Sequence, residues 1–419
     1  MIKKLILPVL ALLAITSCSS DELLQESPNP SGQPYISFNT IVDKNTRGVD
    51  TNAGIMQKDA TGFKVDAFGS GNYYIPASNA ICPISSDNTS TDTGFYLTDN
   101  YYWPSFDLTF NAWYPASAPV TSTNTGAHSI TNYTMPVLSS QQDIVVAVGK
   151  EGHPSSYTQA MNLEFRHIFS QIIVRARIAE EDKEDMHIVV EKVALRAMPS
   201  KGSFSFPSST ASTGNTLLQS CWTPVAPVQV NGKYSDGDDN TCNLGSYIFT
   251  NNQDLNRNET NEYKTLNSYS SGGSMLSGFM VIPQNLQNFA WNGTKGVNGA
   301  YIALYVKIEK KVNGNMVRVY PHDLVDSKSY DWVAIPVFQN STLQNMQPGM
   351  RYIIDLTFTA DGAGKRDPNE EDGGDDIFGK PIWFTVASEA WTDVNAGSIN
   401  TETGQTDGSD TEDEPEVTD

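Results

Sequence analysis

Five histidines, at positions 128, 153, 167, 187 and 322, are the first residues to test for chemistry, and none has a second histidine nearby. The chain has no H-E-x-x-H, no phosphate loop and no G-x-S-x-G. Gly272, Gly273 and Ser274 lie in a Ser/Gly run without the strand–turn–helix frame of a nucleophile elbow. His167 opens a strand-like stretch, FRHIFSQ, where a satisfied structural imidazole fits better than a catalytic base. Asp236, Asp238, Asp239 and Asn240 carry oxygen ligands, as do Glu370, Glu371, Asp372, Asp375 and Asp376. Neither run has the loop spacing or closing bidentate Glu of a calcium motif, so both read as solvated charge. Cys82, Cys221 and Cys242 form no C-x-x-C, which argues against zinc. Cys221 and Cys242 could close one disulfide in an oxidising compartment, and a reduced set is equally open. The expectation is no catalytic residue, no cofactor and no metal. The seven tryptophans could include a sugar platform, but most neighbour strand residues or Pro, so core packing is the default.

Cys18 is different. Lys3 and Lys4 precede an apolar stretch at 5–15, interrupted only by Pro8. It is too short to span a bilayer and suits a signal peptide over residues 1–17. The stretch ends Ile15-Thr16-Ser17-Cys18, an aliphatic residue, two small ones and a thiol, which resembles a bacterial lipobox. The chemistry is thioether lipidation of the Cys18 sulfur, cleavage before it and acylation of the new amine. Two or three acyl chains anchor stably where one is marginal. Ser19, Ser20, Asp21 and Glu22 resemble the surface-export signal of some Gram-negative lipoproteins. The expected location is the outer membrane, lipid-anchored and facing outward.

The rest of the chain must form elements with few helices, because 31 Gly and 22 Pro interrupt its 419 residues. Apolar positions alternate at 36–42, 108–114, 144–148, 172–178, 302–308 and 352–358. Period 2 with one buried and one wet face predicts antiparallel sheets packed as sandwiches, an all-β fold with long polar loops. EEDKED at 180–185 reads as a charged hairpin loop, and 361–376 as an acidic loop. The polar stretch 149–159 divides the strands into an N-terminal domain, 35–152, and a C-terminal one, 160–392, after a linker at 18–34. The formal net charge is -21, of which residues 361–419 supply -14 through 17 acids and 3 bases. A chain so acidic is a poor phosphate binder, so nucleic acid is excluded as a partner. The tail 393–419 has too few apolar side chains to offset its ordering entropy.

Taken in order, several landmarks resemble the fimbrillin family, the lipoprotein precursors of pilus subunits. They are the lipobox, ISF at 36–38, TRG at 46–48, FKVDAF at 63–68, YWP at 102–104 and LTFNAWYP at 108–115. QDIVVA at 142–147, LEFRHIFSQ at 163–171, VIPQ at 281–284, PGMRY at 348–352 and Trp391 complete the series. The resemblance implies two tandem transthyretin-like β-sandwich domains. It also implies proteolytic processing after Arg47, leaving Gly48 as a new N-terminus, and assembly with other fimbrial subunits by β-strand complementation. Residues 36–42 have the alternation of the strand such a cut would release.

One departure narrows this. A stalk subunit donates alternating apolar residues beyond its last strand, and residues 392–419 do not supply them. The expectation is therefore a tip, accessory or anchor subunit acting in adhesion to a host or bacterial surface. The alternative is a surface glycan-binding lipoprotein of a carbohydrate-uptake system, which would display exposed aromatic side chains.

Overall fold

The computed structural model describes residues 35–42, 56, 59–81, 94–123, 126–152, 160–207, 220–226, 229–230, 233–234, 244–256, 262–271, 274–294, 299–322, 328–368 and 373–390. The signal peptide, Cys18, the 18–34 linker, Arg47, Gly48, Cys82, Cys242, Trp391 and the 393–419 tail lie outside them.

The N-terminal strands are β1 (Ser37–Val42), β2 (Phe63–Gly69), β3 (Asn72–Ile81), β4 (Phe95–Leu97), β5 (Leu108–Tyr114), β6 (Thr121–Ser122), β7 (His128–Thr134), β8 (Val145–Gly152) and β9 (Met161–His167). Seven of them hydrogen-bond in the order β1-β4-β3-β2-β5-β8-β9 and close into a barrel. Alternate side chains fill it, among them Phe38, Phe63, Val65, Phe95, Phe110 and Phe165. Entry into β2 needs a glycine: Gly62 has φ +58, and a Cβ there would stand 1.9 Å from the Ala80 carbonyl oxygen.

The following strands are β10 (Ser170–Ile178), β11 (Met186–Arg196), β12 (Lys201–Ser205), β13 (Trp222–Pro224), β14 (Gln229–Val230), β15 (Lys233–Tyr234), β16 (Ile248–Asp254), β17 (Lys264–Thr265), β18 (Ser268–Ser271), β19 (Ser274–Ser277), β20 (Phe279–Val281), β21 (Tyr301–Val312), β22 (Asn315–Tyr320), β23 (Asp331–Ile335), β24 (Met350–Phe358), β25 (Lys365–Arg366) and β26 (Trp383–Ala390). The α-helix among the described residues is one turn, α1 (Ser341–Gln344), capped by Asn340. One sheet runs β17-β10-β24-β26 and another β16-β11-β21-β23-β25. Ile172 and Val174 of β10, Val190 of β11, Leu304 of β21 and Ile354 and Leu356 of β24 share one buried core. The all-β fold follows from the period-2 alternation.

Several local expectations need correction. Two ladders are parallel: β1 with β9, and β10 with β24. In each case the chain passes through other strands before returning, so it comes back in the same direction rather than by a hairpin. The 180–185 segment closes no hairpin, because β10 and β11 belong to different sheets. It carries the chain over the sandwich edge, with one 3-10 turn at Glu180–Asp182. The 361–376 stretch is not simply a loop. Ala363 is buried, β25 pairs with β23, and buried Asp367 accepts a hydrogen bond from Tyr301. Strand β5 does not alternate wet and dry, because Phe110 and Ala112 face the barrel while Trp113 faces the second core.

β9, which follows the stretch 153–159, is a barrel strand, and the change of sheet falls between His167 and Ser170. A further sheet, β13-β12-β7-β6, joins strands from both sides of it.

Candidate functional site

The strand with the most unusual position is β1. Its sequence, SFNTIV, is rich in β-branched and aromatic residues. It runs parallel to β9 in the register Phe38↔Met161 through Val42↔Phe165. On its other side only Ser37 and Phe38 pair, with Tyr96 and Phe95 of the short β4. Beyond Phe38, β1 has no ladder partner on that side among the described residues.

What precedes β1 is tied down as well. The Ile36 amide donates to the Tyr101 carbonyl at 2.9 Å. The Tyr35 and Tyr102 rings stack with centroids 4.6 Å apart, and the Tyr102 hydroxyl donates to that of Tyr35 at 3.0 Å.

Ile36 and Phe38 enter the barrel core. The Phe38 ring meets Phe110 at 5.6 Å and Phe63 at 6.1 Å, both edge-on. Burying each such side chain is worth about 1.5–3 kcal/mol. On the outer face Asn39 donates to the Asn162 side chain at 3.3 Å. Thr40 is the misfit: its Oγ1 is buried with no hydrogen-bond partner. The site is thus a slot between β4 and β9, floored by Phe63 and Phe110 and filled by a strand that, among the described residues, ladders along its length on β9 and over two residues on β4. Arg47 and Gly48, five and six residues past the end of β1, lie outside the described residues.

The histidines sit elsewhere. His167 Nδ1 lies 2.7 Å from the Asp143 carboxylate, and both residues are buried. His128 Nε2 meets Asp66 at 2.5 Å, and Asn111 bridges Asp66 to the Gly149 amide. His187 bridges Glu309, at 2.7 Å, and Asp254, at 3.2 Å. Burial raises the Glu309 carboxyl, but the His187 and Lys307 hydrogen bonds outweigh it and hold the group below its ordinary value. These are joints between strands. Sequence reasoning placed His167 in a structural role and missed the Asp66–His128 pair, whose members are 62 residues apart with no local signal.

Among the described residues no cluster of three His, Cys, Asp or Glu side chains could hold a metal ion. Asp376 of the second acidic run pairs with Lys365 at 2.9 Å. The Cys221 thiol is half-buried, and burial pushes its pKa up against the opposing Ser220 hydrogen bond. Trp103, Trp113, Trp222 and Trp291 are core residues, whereas Trp383 is exposed. No helix among the described residues is long and apolar enough to cross a membrane.

The described residues form an all-β chain whose first strand is seated between β4 and β9. The chain belongs to the fimbrillin-like family, whose model matches residues 46–371. The match begins after β1. No curated protein matches the chain. Among solved structures, a fimbrial protein from Bacteroides vulgatus ATCC 8482 is similar, with 15% identity over 85% of this chain and 99% of that one, at a TM-score of 0.49. A protein provisionally assigned to cell adhesion, from Parabacteroides distasonis ATCC 8503, has 11% identity over 86% and 98% at a TM-score of 0.45. Family membership supports a fimbrial, structural role at the cell surface, in assembly with other pilus subunits.

Proposed function

We propose that this chain is a lipid-anchored fimbrial subunit in a tip, accessory or anchor position, acting in adhesion, with β1 as a replaceable plug. The seat of β1 is the observation that carries this reading. Ile36 and Phe38 lie in a slot that another extended strand of like alternation would fit, laddering on β9. Acylated Cys18 holds the precursor at the outer membrane. Cleavage between Arg47 and Gly48 cuts the tether, so β1 is then held by non-covalent contacts, among them its ladder on β9, the buried Ile36 and Phe38 and the Tyr35–Tyr102 stack. A tethered strand rebinds at its high effective concentration; a severed one competes with any incoming strand on equal terms.

The incoming strand comes from a different subunit. The 393–419 tail of this chain is acidic and nearly without alternating apolar residues. Placing its carboxylates in a dry slot costs more than ladder bonds return. Size-exclusion chromatography and electron microscopy before and after cleavage at Arg47 test the reading. Cleaved protein alone should form no filaments, and ordered polymers should require a second subunit. Regular filaments from this chain alone, lost on deleting 393–419, would make it a stalk protein.

A further inference from the structure

The outer face of the β17-β10-β24-β26 sheet carries a strip that lies outside the core. Ile172, Val174, Ile354 and Leu356 point into the core, so the alternate residues Arg175, Arg177, Asp355 and Thr357 point outward. The register sets Arg177 of β10, Thr357 of β24 and Trp383 of β26 side by side. Tyr263, just before β17, joins the same face. Its hydroxyl shares a hydrogen bond with Thr357 Oγ1 at 2.8 Å, and the Arg177 guanidinium lies 4.4 Å from its ring centroid.

Two members of this strip are out of character for the chain. Trp383 is 71% exposed, while Trp103, Trp113, Trp222 and Trp291 are buried. Arg177 has no carboxylate partner among the described residues, in a chain of net charge -21. Its neighbour Arg175 is paired with Asp355 by two bonds, 2.6 and 2.7 Å long, and Arg351 with Glu389 at 3.4 Å. Of the Arg177 guanidinium nitrogens only Nε is both buried and unbonded, so the planar fork keeps its terminal N–H groups for an anion.

We propose that this strip binds an acidic saccharide, with Trp383 stacking on the apolar face of a pyranose ring and Arg177 taking a carboxylate or sulfate. Trp383 offers an exposed aromatic face beside placed polar groups on the same side of the sheet. The Arg fork meets either anion through paired charge-assisted bonds. The Tyr263–Thr357 hydroxyl pair lies between the two anchors and offers donors and acceptors to ring hydroxyls. Strands are about 4.8 Å apart, so Trp383 and Arg177 are separated by about 10 Å across the sheet, a span suited to linked sugar rings. Direction argues against an acidic peptide. A peptide added to this sheet would run along the edge of β26, which pairs only with β24 among the described residues, and touch Trp383 but not cross to Arg177.

This inference deepens the adhesive part of the proposed function and does not involve strand exchange. It is therefore tested on protein not cleaved at Arg47, where its failure leaves the assembly reading to its own experiment. The protein is titrated calorimetrically with oligogalacturonate, sulfated dextran, neutral dextran and poly-glutamate. At least one acidic glycan should bind, and the two arms separate carboxylate from sulfate. Neutral dextran should bind at least about tenfold more weakly, as expected when a central anchor contact is missing. Trp383→Ala and Arg177→Gln should each lower affinity for the acidic glycan by about tenfold or more. Both are surface changes, and unchanged circular dichroism and melting show that the variants fold. Three results overturn the proposal: no binding of either acidic glycan, unaltered binding by both folded variants, or equal binding of poly-glutamate, which would make the strip a reader of acidic peptides.

Discussion

Thr40 is the residue at which β1 pays for being β1. The alternation that buries Ile36 and Phe38 also turns Thr40 toward the slot, where its Oγ1 finds no partner. Thr40→Val removes the unsatisfied hydroxyl at nearly constant shape and should stabilise the uncleaved protein by about 1 kcal/mol, read as a higher denaturant midpoint. The same change should slow strand replacement after cleavage. A second residue makes a pH-dependent prediction. Tyr133 packs against Phe169 and Trp222. Burial, with the Asp143 charge adding to it, pushes its hydroxyl from an ordinary value near 10 up to about 12. A pKa raised on folding leaves stability intact below the unfolded value and erodes it as pH rises toward the folded one. The denaturant midpoint should therefore fall between about pH 10 and 12, and Tyr133→Phe should flatten part of that fall. An equal alkaline slope in the variant would remove Tyr133 from the account.

At the scale of elements, β1 is a strand whose sequence announced it and whose partner the sequence did not. Phe38→Ala should cost about 3–5 kcal/mol of stability, as for a large aromatic truncated in a core, while Asn39→Ala on the outer face should cost under about 0.5 kcal/mol. Equal thermal shifts for the two would mean that β1 is not seated by its inward face. The 361–376 segment shows the limit of composition. Its acids and glycines read as a loop, yet Lys365 and Arg366 pair with Ala334 and Val333 of β23, and Asp367 is buried against Tyr301. Trypsin should therefore cut after Arg47 well before it cuts after Lys365 or Arg366, since sheet backbone opens at higher free energy than a connecting segment. Mass spectrometry of the first fragments checks the order.

For the molecule as a whole, retention at the membrane rests on Cys18 in this reading. Cys18→Ala should release the protein from the membrane fraction, because no helix among the described residues could replace the acyl chains. Continued partition with the membranes would overturn the lipid-anchor proposal. The acidic balance has a simpler consequence: a net charge of -21 opposes non-specific association between copies.

The residues alone determined that this chain is all-β, because a period of 2 at 36–42, 172–178, 302–308 and 352–358 has one physical reading. They also identified the order of landmarks on which the family resemblance rests. Alternation is a local property, written in side chains two apart. Pairing is not local. Whether β1 would lie parallel to β9, whether β10 would find β24 rather than β11, and whether Trp113 would face a second core were decided by chain return and core packing. The slot at β1 and the strip of Arg177, Tyr263 and Trp383 exist because residues far apart in sequence, such as Phe38 and Met161 or Arg177 and Thr357, occupy neighbouring positions in a ladder. Tertiary structure alone sets that register, because the free energy of a ladder depends on which faces it buries together.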